Sequence, residues 1–293
     1  MKPTIGITSG DPAGIGPEVI RAALASRDLP GDFEFEVVGE MSGFKPGSPT
    51  KESAQAAVEA LETAAKNLLS GKWQAVVTGP VSKKALHDVG CHFPGQTEFF
   101  AARARVENFA MCLTGGGLTV ALVTAHVPIA QVAALLKKSE IIRIGNLLVS
   151  FLQQCGCKEP RIAVAGLNPH AGEGGDLGTE EITIISPAVM ELGKSKAAVF
   201  SGPLPPDTIF QQAVAGKFDG VLCMYHDQGL IPLKLHAFDQ GVNVTLGLPF
   251  VRTSPDHGTA FDIAGKGVAR SDSMQAAIQR AATMLRVNRA AGG

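Results

Sequence analysis

Three histidines share one kind of position in the sequence: His126, His170 and His226 each come shortly after an apolar segment that predicts a strand. In an open α/β sheet, ligands bind at the carboxyl ends of strands. Three imidazoles there predict a metal ion with one open coordination position, as in catalytic zinc sites. The competing interpretation, an ordinary loop residue, suits any one of them alone. Their shared placement favours the metal site.

A second set of polar residues lies in segment 223–262. Lys234 and Asn243 are each flanked by apolar residues, and Arg252 follows in the same segment. Lysine and arginine are the usual partners of phosphates and carboxylates. With Asn243 they predict a site for a small anionic substrate. Ordinary surface exposure is the alternative, and it is weaker for Lys234 and Asn243 because of their apolar neighbours.

The elements that would position these residues alternate along the chain. Residues 4–8 and 75–78 have the composition of strands, and residues 51–69 carry apolar residues at the helical period. This alternation predicts an α/β fold with a mainly parallel sheet covered by helices. Two strands separated by Gly115–Gly117 predict an antiparallel hairpin, and hence a mixed sheet. No clear linker interrupts the chain, so two α/β lobes sharing one extended sheet are expected.

The composition excludes several classes of partner. The 293 residues are 45% hydrophobic and 18% charged, with a formal net charge of −1. This balance predicts a soluble globular protein without a basic face for nucleic acid or a membrane surface. The apolar runs are too short to span a bilayer, and no signal peptide is expected. The five cysteines indicate the reducing cytoplasm.

The glycine-rich opening does not match a nucleotide-binding motif. Gly10, Gly14 and Gly16 lack the G-x-G-x-x-G order of a dinucleotide site, and Pro17 follows where a phosphate-binding loop needs lysine. A tight turn is the expected structure.

Four longer motifs resemble the 4-hydroxythreonine-4-phosphate dehydrogenase family, within the isocitrate/isopropylmalate dehydrogenase-like superfamily. They are Gly-Asp-Pro-Ala-Gly-Ile-Gly-Pro-Glu (10–18), Gly-Pro-Val-Ser-Lys (79–83), Leu-Asn-Pro-His-Ala-Gly-Glu-Gly-Gly (167–175) and Tyr-His-Asp-Gln-Gly-Leu (225–230). The resemblance extends from residue 5 to about residue 270. It implies a divalent metal (zinc, magnesium or cobalt) on the same three histidines.

The resemblance also implies the substrate contacts, which are Gln96, Thr97, Lys234, Asn243 and Arg252. Lys234 is the candidate catalytic residue, relaying a proton or binding the anion. The family usually has Gly-His-Thr-Glu where this chain has Gly-Gln-Thr-Glu at 95–98. Glutamine donates and accepts hydrogen bonds but carries no proton near neutral pH, so the substrate's identity stays open at this point.

Segment 256–269 resembles the adenine-side cofactor loop of isocitrate and isopropylmalate dehydrogenases. This resemblance implies NAD or NADP bound by His257, Gly258, Thr259 and Asp262. It further implies two α/β/α lobes around a cleft, with residues 1–90 and 258–293 in a terminal, cofactor-side lobe and residues 91–257 in a central lobe. A homodimer with its active site at the subunit interface is also implied.

The implied activity is NAD(P)-dependent, metal-dependent oxidation of a small phosphorylated hydroxy amino acid, 4-phosphooxy-L-threonine. The 3-oxo acid would decarboxylate to 3-amino-2-oxopropyl phosphate on the route to pyridoxal phosphate. Two alternatives remain. One is a related dehydrogenase of a phosphothreonate isomer or a cyclic diol dicarboxylate, and the other is a phosphate acyltransferase-like enzyme on the same fold.

Overall fold

The computed structural model describes residues 2–291. The strands are β1 (Thr4–Thr8), β2 (Glu34–Val38), β3 (Ala75–Thr78), β4 (Ala110–Gly115), β5 (Leu118–Leu122), β6 (Arg161–Ala165), β7 (Val199–Leu204), β8 (Gly220–Cys223), β9 (Val242–Leu246) and β10 (Val251–Pro255). The helices are α1 (Gly16–Leu24), α2 (Lys51–Leu69), α3 (Lys83–Asp88), α4 (Gln96–Ala104), α5 (Val132–Leu135), α6 (Lys138–Gln154), α7 (Ser186–Leu192), α8 (Ile209–Val214), α9 (His226–Ala237) and α10 (Asp272–Ala291).

Helix α2 shows why the sequence period was informative. Thr50 caps it: the backbone N–H of Ser53 donates to Thr50 Oγ1 at 3.2 Å, and the N–H of Thr50 donates to Ser53 Oγ at 3.1 Å. This reciprocal pair satisfies two of the backbone donors that a helix start leaves unpaired. Alanines and leucines on one face of α2 are buried. The helix predicted over residues 51–69 is therefore confirmed.

The chain forms two compact units, Met1–Glu107 with Asp239–Gly293, and Asn108–Phe238. We call them the terminal unit and the central unit. The sequence placed the boundaries after residues 90 and 257. The second boundary falls earlier because β10 pairs with β3, with Val251 opposite Ala75.

The terminal unit has a five-stranded run in the order β2-β1-β3-β10-β9. Strands β2, β1, β3 and β10 are mutually parallel, and β9 is antiparallel to β10. Helix α2 and the aromatic side chains of Trp73, Phe99 and Phe100 form much of the core on this sheet. The sheet therefore has mixed strand direction, as predicted.

The central unit has the order β4-β5-β8-β6-β7. Strands β4 and β5 form the predicted antiparallel hairpin, whereas β5, β8, β6 and β7 are parallel. The buried side chains of the hairpin and of β8 pack with those of α8 and α9 in one hydrophobic cluster. The carboxyl ends of three adjacent parallel strands consequently lie along one edge of this sheet.

Gly229 lies inside α9, although glycine disfavours helices. A Cβ at this position would be 3.0 Å from Cys223 Sγ and 3.2 Å from Val120 Cβ. The glycine therefore allows α9 to pack closely on β5 and β8.

Within residues 2–291, no helix has both the length and the apolar character of a membrane span.

Candidate functional site

The three histidines follow three neighbouring strands of the central unit. His126 comes after β5, His226 after β8 and His170 after β6, and these strands are adjacent and parallel in the order β5-β8-β6. The strand-end placement inferred from the sequence is therefore seen in the structure.

His126 and His226 lie side by side because β5 and β8 continue to hydrogen-bond past their ends. The backbone N–H of Thr124 donates to Met224 O at 3.1 Å, and its hydroxyl donates to the same oxygen at 2.8 Å. His126 comes two residues after Thr124, and His226 two residues after Met224. Their ring centroids are 5.4 Å apart, with the planes inclined at 42°.

Asp227 sets the orientation of the His226 ring. His226 Nδ1 and Asp227 Oδ1 are 2.7 Å apart, so the imidazole N–H donates to the carboxylate when Nδ1 carries the proton. This tautomer leaves the Nε2 lone pair available for a cation. A metal-ligating imidazole usually donates its other ring N–H to a carboxylate or a carbonyl, which fixes the tautomer and orientation of the ring. The chemistry of these donors therefore fits a divalent metal.

His170 does not complete the cluster in this chain. Among residues 2–291, no group of three or more His, Cys, Asp or Glu side chains is arranged to hold a metal ion. His170 lies on the left-handed turn Pro169–Gly175, with φ of 51°. The structure thus pairs His126 with His226 and leaves the three-histidine site a prediction.

Gln228 links the strand ends that precede two of the histidines, and sequence reasoning missed it. Its side-chain amide donates to Gly166 O and its carbonyl accepts from Met224 N–H, both at 2.7 Å. The side chain is buried, with 6% of its residue surface exposed. Buried polar groups with both ends paired fix local geometry. The signal was its place in the Tyr-His-Asp-Gln motif.

Arg252 is the centre of the predicted anion site, and it lies in the terminal unit on β10. Its Nη2 donates to Thr78 Oγ1 at 2.7 Å. Its Nη1 donates to Thr245 Oγ1 at 3.2 Å, and to Asn243 Oδ1 and Thr97 Oγ1 at 3.4 Å each. The predicted residues Thr97, Asn243 and Arg252 are therefore brought together, and Thr78 and Thr245 join them.

Arg252 is a buried cation with neutral hydrogen-bond partners. The residue is 3% exposed, and Nε has no hydrogen-bond partner. None of its partners within the described residues is a carboxylate. Burial lowers the pKa of the guanidinium to about 10, opposed by the charge of Glu98. It stays protonated at neutral pH, and a buried cation with neutral partners is costly without an anion.

Gln96, the first residue of α4, contacts the same guanidinium. Its amide N–H donates to Gly79 O at 3.0 Å, and its Oε1 accepts from Arg252 Nη2 at 3.4 Å. Glutamine thus uses both its donor and its acceptor here. It contacts Arg252 through a neutral oxygen, which adds no negative charge beside the guanidinium.

Lys234 belongs to the other unit. It lies half-buried in the last turn of α9, on the same helix as His226. Arg252 and its hydrogen-bond partners belong to the terminal unit. The predicted substrate residues are therefore divided between the two units.

The predicted cofactor loop packs against the glycine-rich opening within the terminal unit. The N–H of Ile15 donates to Thr259 O at 2.9 Å. Thr259 is 9% exposed, whereas Gly258 and Asp262 are exposed. His257 Nδ1 is 3.1 Å from Gly258 O, and its Nε2 is buried without a hydrogen-bond partner. The opening forms the expected tight turn, and an unpaired imidazole nitrogen beside it is suited to a ligand hydrogen bond.

Comparison with known proteins identifies the family. The family described as "Pyridoxal phosphate biosynthetic protein PdxA" matches residues 19–281. A relative from Geobacter metallireducens, named 4-hydroxythreonine-4-phosphate dehydrogenase, is 42% identical over 100% of this chain and 98% of its own length. The chain belongs to the PdxA family. The resemblance inferred from its four motifs is confirmed.

Solved structures agree with this assignment. The crystal structure of 4-hydroxythreonine-4-phosphate dehydrogenase from Klebsiella pneumoniae is 38% identical, with a TM-score of 0.83 over 96% of this chain and 99% of that one. Isocitrate dehydrogenase from Methylococcus capsulatus is 15% identical with a TM-score of 0.54 over 98% of this chain and 89% of that one, which shows the shared fold alone. The predicted α/β fold class is confirmed.

PdxA relatives with different names match this chain almost equally well. A protein from Pectobacterium atrosepticum named D-threonate 4-phosphate dehydrogenase is 39% identical over 96% of this chain and 99% of its own. Sequence identity therefore does not select between the two substrates named in these relatives.

Proposed function

We propose that this chain is a 4-hydroxythreonine-4-phosphate dehydrogenase that uses NAD or NADP and a divalent metal. Its product would be a 3-oxo acid, which decarboxylates to 3-amino-2-oxopropyl phosphate in pyridoxal phosphate biosynthesis. The observation that carries this proposal is the buried guanidinium of Arg252, which has no carboxylate among its hydrogen-bond partners in residues 2–291. Such a group favours a ligand with a phosphate or carboxylate, and this substrate has both.

Arg252 would bind an anionic group of the substrate. Its unpaired Nε and long Nη1 contacts leave donor capacity for oxygen atoms of a ligand. The hydroxyl of Thr97 and the amide of Asn243 lie against the same guanidinium and would orient the ligand. Because these groups are already in place, little ordering is needed on binding.

His126, His170 and His226 would hold the metal. A bound divalent cation supplies Lewis acidity that favours loss of a proton from a substrate hydroxyl. Asp227 keeps the His226 ring in the tautomer with a free Nε2. Lys234, half-buried on the same helix, would accept or relay the hydroxyl proton through its Nζ. In the overall reaction the alcohol gives a hydride to the nicotinamide and a proton to the protein.

The cofactor would bind at the 257–262 loop. The buried Nε2 of His257 is an unpaired hydrogen-bonding atom, and the exposed Gly258 leaves room for close approach of a ligand. Thr259 is anchored to the backbone of Ile15 and would hold the loop in place. Asp262, exposed in the same loop, is available to a cofactor hydroxyl.

We further propose a homodimer with the active site at the subunit interface. Ile231, Leu235 and Phe238 follow at helical spacing along and just past α9 and are 65%, 88% and 69% exposed. Exposed apolar stripes of this kind mark protein interfaces. The stripe lies on the helix that begins with His226, and a second subunit would account for a metal site that one chain leaves incomplete.

All five cysteines lack disulfides, which supports a cytoplasmic location.

The deciding experiment is an assay of NAD and NADP reduction with 4-phosphooxy-L-threonine, with and without a chelator. We expect reduction that the chelator abolishes and added metal restores. D-threonate 4-phosphate is assayed in parallel, because Gln96 replaces the usual histidine and a relative carries that substrate in its name. Reduction with D-threonate 4-phosphate but not with 4-phosphooxy-L-threonine would replace the proposal with the related dehydrogenase of a phosphothreonate isomer. Transfer of an acyl group without cofactor reduction would favour the acyltransferase alternative.

A further inference from the structure

The turn that carries His170 has an unusual backbone. His170, Ala171 and Glu173 have φ of 51°, 53° and 43°, and Gly172 and Gly174 among them are also positive. Left-handed backbone is unfavourable for residues with a Cβ. A run of such residues persists only where the surroundings impose it. Something outside the turn must therefore hold it.

The carboxylate of Glu181 contacts the two consecutive residues that lead into this turn. Its Oε1 accepts from the backbone N–H of Leu167 at 2.7 Å and of Asn168 at 2.8 Å. Its Oε2 accepts from Asn168 Nδ2 at 2.9 Å. Hydrogen bonds to a charged acceptor are stronger than neutral ones. One side chain thus fixes the two residues that precede Pro169 and His170.

The turn also wraps around the same carboxylate. Glu181 is 3% exposed, although it is an acidic residue. A Cβ on Gly172 would lie 2.7 Å from Glu181 Oε2, so only glycine allows this approach. Buried carboxylates are tolerated when hydrogen bonds replace their water. The packing is therefore specific to this carboxylate and this loop.

We propose that Glu181 is a positioning residue that fixes the left-handed turn and thereby presents His170. It acts through the backbone of Leu167 and Asn168 and requires no contact with substrate. The inference rests on the proposed function in one respect: the role of His170 as a metal ligand. The loop-fixing role stands on the contacts alone.

The first test uses the metal-free protein. In Glu181→Ala, amide hydrogen exchange at Leu167 and Asn168 is expected to rise about tenfold or more, because both donors lose a charged acceptor. Glu181→Gln keeps one oxygen acceptor, so its exchange rates at these two amides should lie between those of the wild type and Glu181→Ala. It is therefore the conservative rescue. Glu191→Gln, an exposed carboxylate of α7 that pairs with Lys194, is the matched control and should match the wild type. Native exchange at both amides in Glu181→Ala would overturn the proposal.

The second test measures zinc affinity by chelator competition, with the visible spectrum of the cobalt form as a signature of geometry. Glu181→Ala should weaken zinc binding by about 10- to 100-fold, as loss of a supporting residue does. The double variant with His170→Ala should bind no more weakly than His170→Ala alone. Native zinc binding in Glu181→Ala, when His170→Ala loses it, would refute the positioning role. If His170→Ala itself binds zinc normally, the metal assignment fails, while the exchange result still decides the loop's support.

Discussion

The imidazoles of His126 and His226 have ring centroids 5.4 Å apart. The backbone N–H and the hydroxyl of Thr124 both donate to Met224 O, which keeps the ends of β5 and β8 in register up to this pair. Two imidazoles at this separation can share one cation, provided that their rings turn their nitrogens towards it. The pair is the part of the proposed metal site that residues 2–291 bring together in one chain.

Replacing His226 by alanine should remove metal and turnover together. The variant loses one imidazole of the pair, so the remaining ligands should hold the cation more weakly. We expect metal affinity to fall by more than about 100-fold, because loss of a residue that only orients a ligand already costs up to that much. Metal content by atomic emission and the reduction assay are measured on the same preparation. His236→Ala is the control, since His236 lies on α9 and its Nε2 is 2.8 Å from Gly116 O rather than beside the histidine pair. Normal metal content in His226→Ala would exclude it as a ligand.

Arg252→Lys should weaken substrate binding. Lysine supplies one point charge and cannot reach Thr78, Thr245 and a ligand with a planar fork. Loss of a charge-assisted hydrogen bond corresponds to roughly a 10- to 100-fold rise in KM. Steady-state kinetics with 4-phosphooxy-L-threonine measures it. Arg270→Lys, an exposed arginine paired with Asp239 and Asp272, should leave KM unchanged. An equal effect of both changes would deny Arg252 its assigned role.

Gln96→Glu tests whether substrate binding requires that the Arg252 guanidinium has no carboxylate hydrogen-bond partner within the protein. The new carboxylate has almost the same shape and would form an ion pair with the guanidinium, competing with the substrate's anion. We expect KM and the inhibition constant of inorganic phosphate to rise together, by about tenfold or more. Melting temperature is followed in parallel, because the variant also loses the amide N–H that donates to Gly79 O. Unchanged phosphate inhibition would show that the anion does not bind this guanidinium.

Regular elements were the easier part to infer from the sequence. Helix α2 has a complete apolar stripe and a capping box, so its bounds follow from the residues alone. Helix α4 was missed because its apolar residues are a short cluster around Phe99 and Phe100 rather than a sustained stripe, and it has no side-chain cap. Helix α9 was missed because it contains Gly229 and Pro232, both of which disfavour helices.

Site residues followed a different rule. The histidines were singled out because their type and strand-end positions suggest ligands, and Arg252 because arginine is a usual partner of phosphates and carboxylates. Gln228 and Glu181 act through hydrogen bonds to distant backbone atoms, Gly166 O and Leu167 N–H among them. Such partners are set by the tertiary fold, so even the Tyr-His-Asp-Gln motif that contains Gln228 does not reveal which backbone atoms its side chain contacts.

Leu235→Glu should dissociate the proposed dimer. Leu235 is 88% exposed in the single chain, and a charge placed in a buried apolar interface is strongly unfavourable. Sedimentation velocity should show a dimer for the wild type and a monomer for the variant at the same concentration. Met190→Glu, on α7 and 67% exposed, is the matched control and should remain a dimer. A wild-type monomer would contradict the proposal directly.

The ion pair of Asp219 with Arg161 should make stability depend on pH. The guanidinium hydrogen bonds to the carboxylate hold the pKa of Asp219 below its usual value, and the backbone N–H of Arg161 adds to this. A folded-state pKa below the unfolded value of about 3.9 gives stability that is present above that value. The contribution is lost as pH falls through the folded-state pKa.

Asp219→Asn should therefore lower stability near neutral pH by about 1 kcal/mol, the upper range for a half-exposed pair. This corresponds to a fall in Tm of roughly 2–4 °C. The difference from the wild type should begin to shrink below about pH 4, where the unfolded-state carboxyl takes up a proton, and should vanish as pH falls through the lower folded-state pKa. Asp88→Asn removes the more exposed pair with Lys84 and should change Tm much less. A difference for Asp219→Asn that stays constant down to strongly acidic pH would show that the side chain stabilises by packing, because only a charged carboxylate makes the contribution titrate.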